Sequence, residues 1–297
     1  MLVLLRHGKT AISIELAKQI NGEIISCDSM QIYKDMDIGT AKVTEEEKEG
    51  IEHYLIDFVL PNERYTVSDF KRDAEAAIEE ILAKGKTPII VGGTGLYVNS
   101  LIYGIEYQEM DFDEEYRNSL MKKAETEEGL AKLYEEAKKI DPEAMEIISQ
   151  NDKKRIIRVL EIYKATGKNK TEQEILSKAK DIKYDYQVYA IDMERNKLYD
   201  RINRRVDLMF EQGLIEEVKN ILEKYSDFPT AMQGIGYKEV VEYLRGDVTK
   251  EEMIEKLKQE TRHYAKRQLT WFRKNKEIIW LDAEKNMQDN IDIIMKG

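Results

Sequence analysis

Residues 26–33 read Ser26-Cys27-Asp28-Ser29-Met30-Gln31-Ile32-Tyr33, with one carboxylate, Asp28, just past a segment, Glu23-Ile24-Ile25, patterned as a short buried strand. A carboxylate at the C-terminal end of a strand stands where open α/β sheets place their ligands. Asp, Ser, Gln and Tyr side chains together accept, donate and stack, which suits a planar base carrying an exocyclic amine. An Asx-turn or helix cap at Asp28 and Ser29 uses the same residue types, so the chemistry rests on what else gathers at that edge.

Two further strand tips suit phosphate. The N-terminal strand runs into Arg6-His7-Gly8-Lys9-Thr10, and a helix begins at once. Gly-Lys-Thr at such a turn is the closing half of a phosphate-binding loop, in which backbone N–H groups, the helix N-terminus and the lysine surround phosphate oxygens while the Thr hydroxyl reaches Mg²⁺. The full pattern G-x-x-x-x-G-K-[ST] needs Gly at position 3, where Val3 stands, and a plain helix start explains the tripeptide alone. The strand Thr87-Pro88-Ile89-Ile90-Val91 ends in Gly92-Gly93-Thr94-Gly95-Leu96-Tyr97. Glycines there let a backbone approach phosphate or another chain without a Cβ clash, and a helix starting near Gly95 turns its dipole into the same crevice. A tight strand-to-helix turn is the bland alternative. Three tips converging on one edge weigh more than any one of them.

Basic residues come in three groups. Arg201 and Arg205 lie at i, i+4 on a helix over 198–212, beside the apolar stripe Leu198, Ile202, Val206 and Met209, and as plain sequence they read as solvent-exposed. Arg155 and Arg158 stand one turn apart beside Asp152, a candidate cap, with Glu161 offering an ordinary ion pair. From Arg262 to Lys276 there are six Lys or Arg, three aromatic residues and no acid. Interleaved with Tyr264, Trp271 and Phe272, such groups contact phosphates and stack on unpaired RNA bases, while Tyr264 and Trp271 also fit the core face of an amphipathic helix.

The elements that must position these residues follow from periodicity. Strands are expected at 2–5, 23–26, 87–91 and 186–192, with an apolar run at 54–60 and an edge strand at 277–281; helices are expected at 10–20, 67–84 and 96–102. Such alternation predicts βαβ units: an α/β fold with a P-loop NTPase-like parallel sheet flanked by helices. Between Gln108 and Lys180 the pattern turns Glu- and Lys-rich and helical, with Leu120, Leu130, Leu133, Ala137 and Ile140 as stripes, so an all-helical insertion domain is expected. The domain reading is 1–108 core, 109–180 insertion, 181–297 core completed with a basic C-terminal helix.

At 297 residues the chain can bury a full core. One cysteine, Cys27, excludes an internal disulfide framework, and three histidines show no zinc spacing. A net charge of −11 argues against a simple nucleic-acid-coating protein, which makes the local basic run at 262–276 the more telling. No apolar run approaches membrane length, so neither signal peptide nor anchor is expected, and the cytoplasm is the default.

The run Ser26 to Tyr33, then Met36-Asp37-Ile38-Gly39-Thr40-Ala41-Lys42, Gly92 to Tyr97, Asn151-Asp152-Lys153-Lys154-Arg155-Ile156-Ile157-Arg158, and Thr261-Arg262-His263-Tyr264-Ala265-Lys266-Arg267-Gln268-Leu269-Thr270-Trp271-Phe272-Arg273 closely resemble, in order and over nearly the whole chain, the tRNA dimethylallyltransferase family. The resemblance implies a P-loop α/β core with a helical insertion. It also implies transfer of a dimethylallyl group from its diphosphate to N6 of the adenosine 3′ of the anticodon. Asp28 would be the general base, Thr94 a polar contact near the reacting centre, and Arg201 a diphosphate ligand. Gly8, Lys9, Thr10, Gly92, Gly93 and Gly95 would surround the diphosphate, with Mg²⁺ held through Thr10. Ser29, Gln31, Tyr33, Arg155, Arg158, Arg262, Lys266, Arg267, Trp271 and Arg273 would face tRNA, with Gln31 holding the target base. The partners implied are the anticodon stem-loop of tRNA and dimethylallyl diphosphate, acting on a monomer without membrane contact. One departure stands out: about three loop residues expected ahead of Gly8 are missing and Arg6-His7 replace small residues, which bears on diphosphate affinity more than on fold.

A P-loop kinase of small molecules shares the Gly-Lys-Thr turn and the strand-tip Asp, but it has no need of a basic aromatic helix and normally carries an intact glycine loop. A binding-only relative and a transferase acting on free adenine nucleotides complete the alternatives.

Overall fold

The computed structural model describes residues 1–5, 9–105, 113–177 and 182–296. Six strands, β1 (Leu2–Leu5), β2 (Gly22–Cys27), β3 (His53–Tyr54), β4 (Thr87–Gly92), β5 (Gln187–Asp192) and β6 (Ile279–Asp282), form one sheet in the order β3-β2-β4-β1-β5-β6. Every pairing is parallel, as expected for strands joined by crossover helices.

The central strands read as apolar runs because both faces are covered: Val3, Leu4, Leu5, Ile24, Ile25, Ile89, Ile90 and Val188 are at most 5% exposed. On one face packs helix Val67–Ala83, whose Phe70, Ala74, Ala77, Ile78 and Ile81 follow the helical period and are buried. Its start is set by a capping box in which Thr66 and Asp69 exchange hydrogen bonds with each other's backbone. Phe70 stacks on Tyr97 at 4.1 Å, a contact that ties this helix to helix Gly95–Ile102. Removing the Phe70 ring would cost about 3–5 kcal/mol by the usual transfer-plus-cavity rule. Helices Lys9–Gln19 and Met287–Lys296 cover the other face, with Ile12, Ile14, Leu16, Ile291 and Ile294 buried against Leu4, Ile89 and Tyr189.

The expected run 54–60 yields only a two-residue strand. Leu55 and Asp57 adopt φ of 57° and 59°, which breaks extension, and the chain rejoins the sheet region by a single bridge, Tyr33 to Val59. The edge strand near the C-terminus forms as expected and pairs parallel with β5.

The chain divides into two compact units, Met1–Ile102 with Tyr184–Gly297, and Tyr103–Lys183. The second is helical and has its own core, in which Leu120, Leu130, Leu133, Ala137, Ile156, Ile157 and Leu160 pack together. Among the described residues no helix is long and apolar enough to cross a membrane.

Candidate active site at the carboxyl ends of the strands

β1, β2 and β4 end side by side: Leu5 and Cys27 each pair with Gly92. Their crossovers lead to opposite sides of β1, so this edge is the switch point at which open α/β sheets bind ligands. Asp28, directly after β2, is half-buried and accepts a hydrogen bond from Met30 N–H at 3.0 Å. The local Asx-turn is therefore real, and it uses one oxygen of a carboxylate that keeps further acceptor capacity.

Thr94 stands next to it. Its Oγ1 accepts from Ser29 N–H at 3.0 Å and donates to Ser29 Oγ at 3.3 Å, while its carbonyl accepts from Val98 N–H to open helix Gly95–Ile102. Gly92 has a stricter reason than phosphate approach: a Cβ there would lie 2.0 Å from Cys27 O. That same carbonyl accepts the Gly93 and Thr94 amides at 3.2 Å each. Close packing of β4 on β2 thus requires a glycine at 92, and at Gly93 an added Cβ would lie 2.3 Å from Gln268 Nε2. At this tip the first-turn amides from Gly95 onward remain, and no carbonyl of their own helix can accept those.

Helix Arg195–Glu211 brings Arg201 and Arg205 to this edge. Arg201 is exposed, and no described carboxylate forms an ion pair with it. Arg205 is half-buried and reaches Thr40 O at 3.4 Å. Burial lowers its pKa and the Arg201 charge adds to that, while the Asp28 carboxylate pulls the other way.

Helix Lys250–Phe272 closes the edge from outside. Gln268 is 9% exposed and donates to Gly93 O at 2.7 Å, and the Trp271 indole lies over Gly95. Burial and the Asp28 carboxylate push the Tyr264 phenol up to about 12, against the opposing contacts of Gln268 and Thr94. The phenol is thus neutral at working pH. Sequence reasoning singled out neither Tyr264 nor Gln268 for this place; the helical period of the 262–276 run was the only signal for them.

The remaining expectations divide. Gln31 is engaged: its Nε2 donates to Thr40 O and Ala41 O at 3.2 Å each, and Ser26 Oγ donates to its Oε1 at 3.3 Å. Tyr33 is 0% exposed and belongs to a core with Ile32 and Met36, so the tRNA contact expected of it is corrected to a packing role. Lys266, Arg267, Trp271 and Arg273 are exposed along helix Lys250–Phe272 and its C-cap, with Arg267 over the Tyr264 ring. Arg262 is partly withdrawn, donating to Asn203 Oδ1 at 2.7 Å. In the helical unit, Arg155 pairs with Asp152 at 3.4 Å and Arg158 with Glu161 at 3.6 Å, both pairs on one helix. Gly8, with Arg6 and His7, lies outside the described residues, as does the side chain of Lys9. Thr10 is exposed in the first turn of helix Lys9–Gln19. Among the described residues no three acids, histidines or cysteines cluster as metal ligands.

Comparison with known proteins gives the same direction. The sequence model described as IPP transferase matches residues 31–275. A tRNA dimethylallyltransferase of Acetivibrio thermocellus is 52% identical over 279 residues, 94% of this chain and 89% of that protein. The crystal structure of the tRNA isopentenylpyrophosphate transferase of Bacillus halodurans superposes with a TM-score of 0.73 at 42% identity, covering 99% of this chain and 95% of the other. A eukaryotic dimethylallyltransferase, described as acting on tRNA, superposes with a TM-score of 0.79 at 31% identity over 99% of this chain and 79% of its own.

Proposed function

The chain belongs to the IPP transferase family, and from that premise we propose that it transfers a dimethylallyl group from dimethylallyl diphosphate to N6 of the adenosine 3′-adjacent to the anticodon of tRNA, releasing diphosphate. The observation that carries this reading is the placement of Asp28 with Thr94, Arg205 and Tyr264 at one sheet edge, under a helix with exposed cations.

An adenine amine is a poor nucleophile because its lone pair is delocalised into the ring. Asp28 takes the N6 proton as the new C–N bond forms, a role worth roughly 10²- to 10⁴-fold. Thr94 holds Ser29, and through it the turn carrying Asp28, against helix Gly95–Ile102. Departure of diphosphate develops negative charge, which Lys9, Arg201 and the first-turn amides from Gly95 stabilise. Mg²⁺, when bound with the diphosphate and held through Thr10, supplies further charge neutralisation. Lys266, Arg267 and Arg273 meet RNA phosphates, and Trp271 offers a stacking face. The protein acts in the cytoplasm as a monomer in this reading.

The test is direct. Incubation with Mg²⁺, dimethylallyl diphosphate and an unmodified anticodon stem-loop bearing adenosines, followed by mass spectrometry of the RNA, is expected to show a gain of one dimethylallyl group. An unmodified stem-loop, with RNA binding intact, would overturn the activity.

A further inference from the structure

The loop after Asp28 is held by a carboxylate from a distant helix. Glu217, on helix Leu214–Lys224, accepts three consecutive backbone N–H groups: Asp37 at 2.9 Å and Ile38 at 2.7 Å on Oε2, and Gly39 at 3.1 Å on Oε1. Tyr237 Oη donates to Oε1 at 2.6 Å. Successive N–H groups converging on one point form an anion-binding nest, and here the protein fills it with its own side chain. Gly39 is required for the fit, because a Cβ there would lie 2.5 Å from the Tyr237 ring.

The next residue faces the site. Thr40 O accepts from Gln31 Nε2 at 3.2 Å and from Arg205 Nη2 at 3.4 Å. Thr40 Oγ1 donates to Met36 O at 2.6 Å, and Lys42 Nζ donates to Tyr33 O at 2.8 Å, so the loop between them has little freedom of its own. The contacts run from Glu217 through the 37–39 amides and the Thr40 carbonyl to Arg205, whose charge acts on Asp28.

We propose that Glu217 is a positioning residue for prenyl transfer: by holding residues 37–39 it fixes the Thr40 carbonyl that seats Arg205 and Gln31 beside Asp28. Arg205 and Gln31 share the Thr40 carbonyl, and Gln31 in turn accepts from Ser26 at the end of β2; a side chain with an arginine's freedom is held there only if its acceptor is rigid. Glu217→Gln keeps the size but replaces one acceptor oxygen by an NH₂, which meets backbone N–H groups donor to donor and loosens the loop. This inference rests on the transferase reading of the preceding subsection.

The experiment is a double-mutant cycle on the full chain: parent, Glu217→Gln, Arg205→Ala and the double variant, assayed for dimethylallyl transfer to the stem-loop. Each single change is expected to lower kcat by about ten-fold or more with KM for both substrates within about three-fold, and the double variant to fall no more than about two-fold below the weaker single one. Multiplying losses, or a Glu217→Gln enzyme within two-fold of the parent, would overturn the proposal. If Glu217→Gln does not fold, Tyr237→Phe replaces it, removing one of the four hydrogen bonds on Glu217, and the same coupling decides. Amide hydrogen exchange separates the two readings. A parent that transfers nothing sinks the transferase activity, and then faster exchange of both 37–42 and 28–33 in Glu217→Gln supports the positioning role, whereas unchanged exchange at 28–33 refutes it.

Discussion

Asp28 was legible because strand-tip logic needs only local sequence: an apolar strand, a polar turn, and a shared sheet edge; Thr94 lies at a second such tip, and only the family resemblance singled it out there. Arg205, Tyr264 and Gln268 were not legible, because their partners are far along the chain; Gln268 meets Gly93 across 175 residues and Arg205 meets Thr40 across 165. Two substitutions test the residue roles. Asp28→Ala is expected to lower kcat by at least about 10², the lower bound for a lost general base, while tRNA affinity stays within a few-fold; turnover above a tenth of the parent rate would remove the assignment. Arg201 is exposed with no described carboxylate paired to it, a state that a bound diphosphate would resolve by charge-assisted hydrogen bonds. Arg201→Ala is therefore expected to raise KM for dimethylallyl diphosphate about ten-fold or more, roughly the loss of a charged hydrogen bond, with tRNA affinity preserved. Unchanged kinetics in the prenyl donor would place Arg201 on the plain surface.

Among the elements, helix Lys250–Phe272 does two things on two faces. Ala265, Gln268 and Phe272 are buried against the core unit, while Lys266, Arg267 and Trp271 are exposed. Helical period in the sequence foretold both faces, but not that the inner one would deliver Tyr264 and Gln268 to the site. Positions of regular elements were readable where strands are covered on both faces and helices carry caps; the apolar run 54–60 stays extended only at its start because Leu55 and Asp57 take positive φ, which the residue type of Leu55 does not foretell. The structure also refines the RNA patch. Arg262 is already bonded to Asn203, so Lys266, Arg267 and Arg273 carry the expectation. Replacing those three by glutamine is predicted to weaken stem-loop binding and to reduce the slope of log K against log salt by about 0.7–0.9 for each RNA phosphate that is no longer neutralised. A slope equal to the parent's would mean that RNA lies elsewhere.

For the whole molecule, the two units have separate cores, so the helical unit must secure its own termini and turns. Asp141, 1% exposed, does this at one junction: it caps helix Pro142–Ile147 through Ala144 N–H at 3.0 Å and accepts the Thr171 amide and hydroxyl at 2.8 Å each. Burial pushes its carboxyl up, but the Ala144 amide, the Thr171 hydroxyl and the Thr171 amide outweigh that and leave it below the ordinary aspartate value. A lowered folded-state pKa means that the unfolded chain binds the proton more tightly. The contribution to stability is therefore fully present above the unfolded value of about 3.9 and is lost as pH falls through the lower folded value. Asp141→Ala removes a helix cap and leaves the Thr171 donors unpaired, which should destabilise the unit by about 2–3 kcal/mol at neutral pH. In thermal unfolding followed by circular dichroism, the gap in Tm between parent and Asp141→Ala is expected to be constant from pH 7 to 5 and to close below about pH 4. A gap that stays open at low pH would show that packing around Asp141, and not its charge, holds the junction.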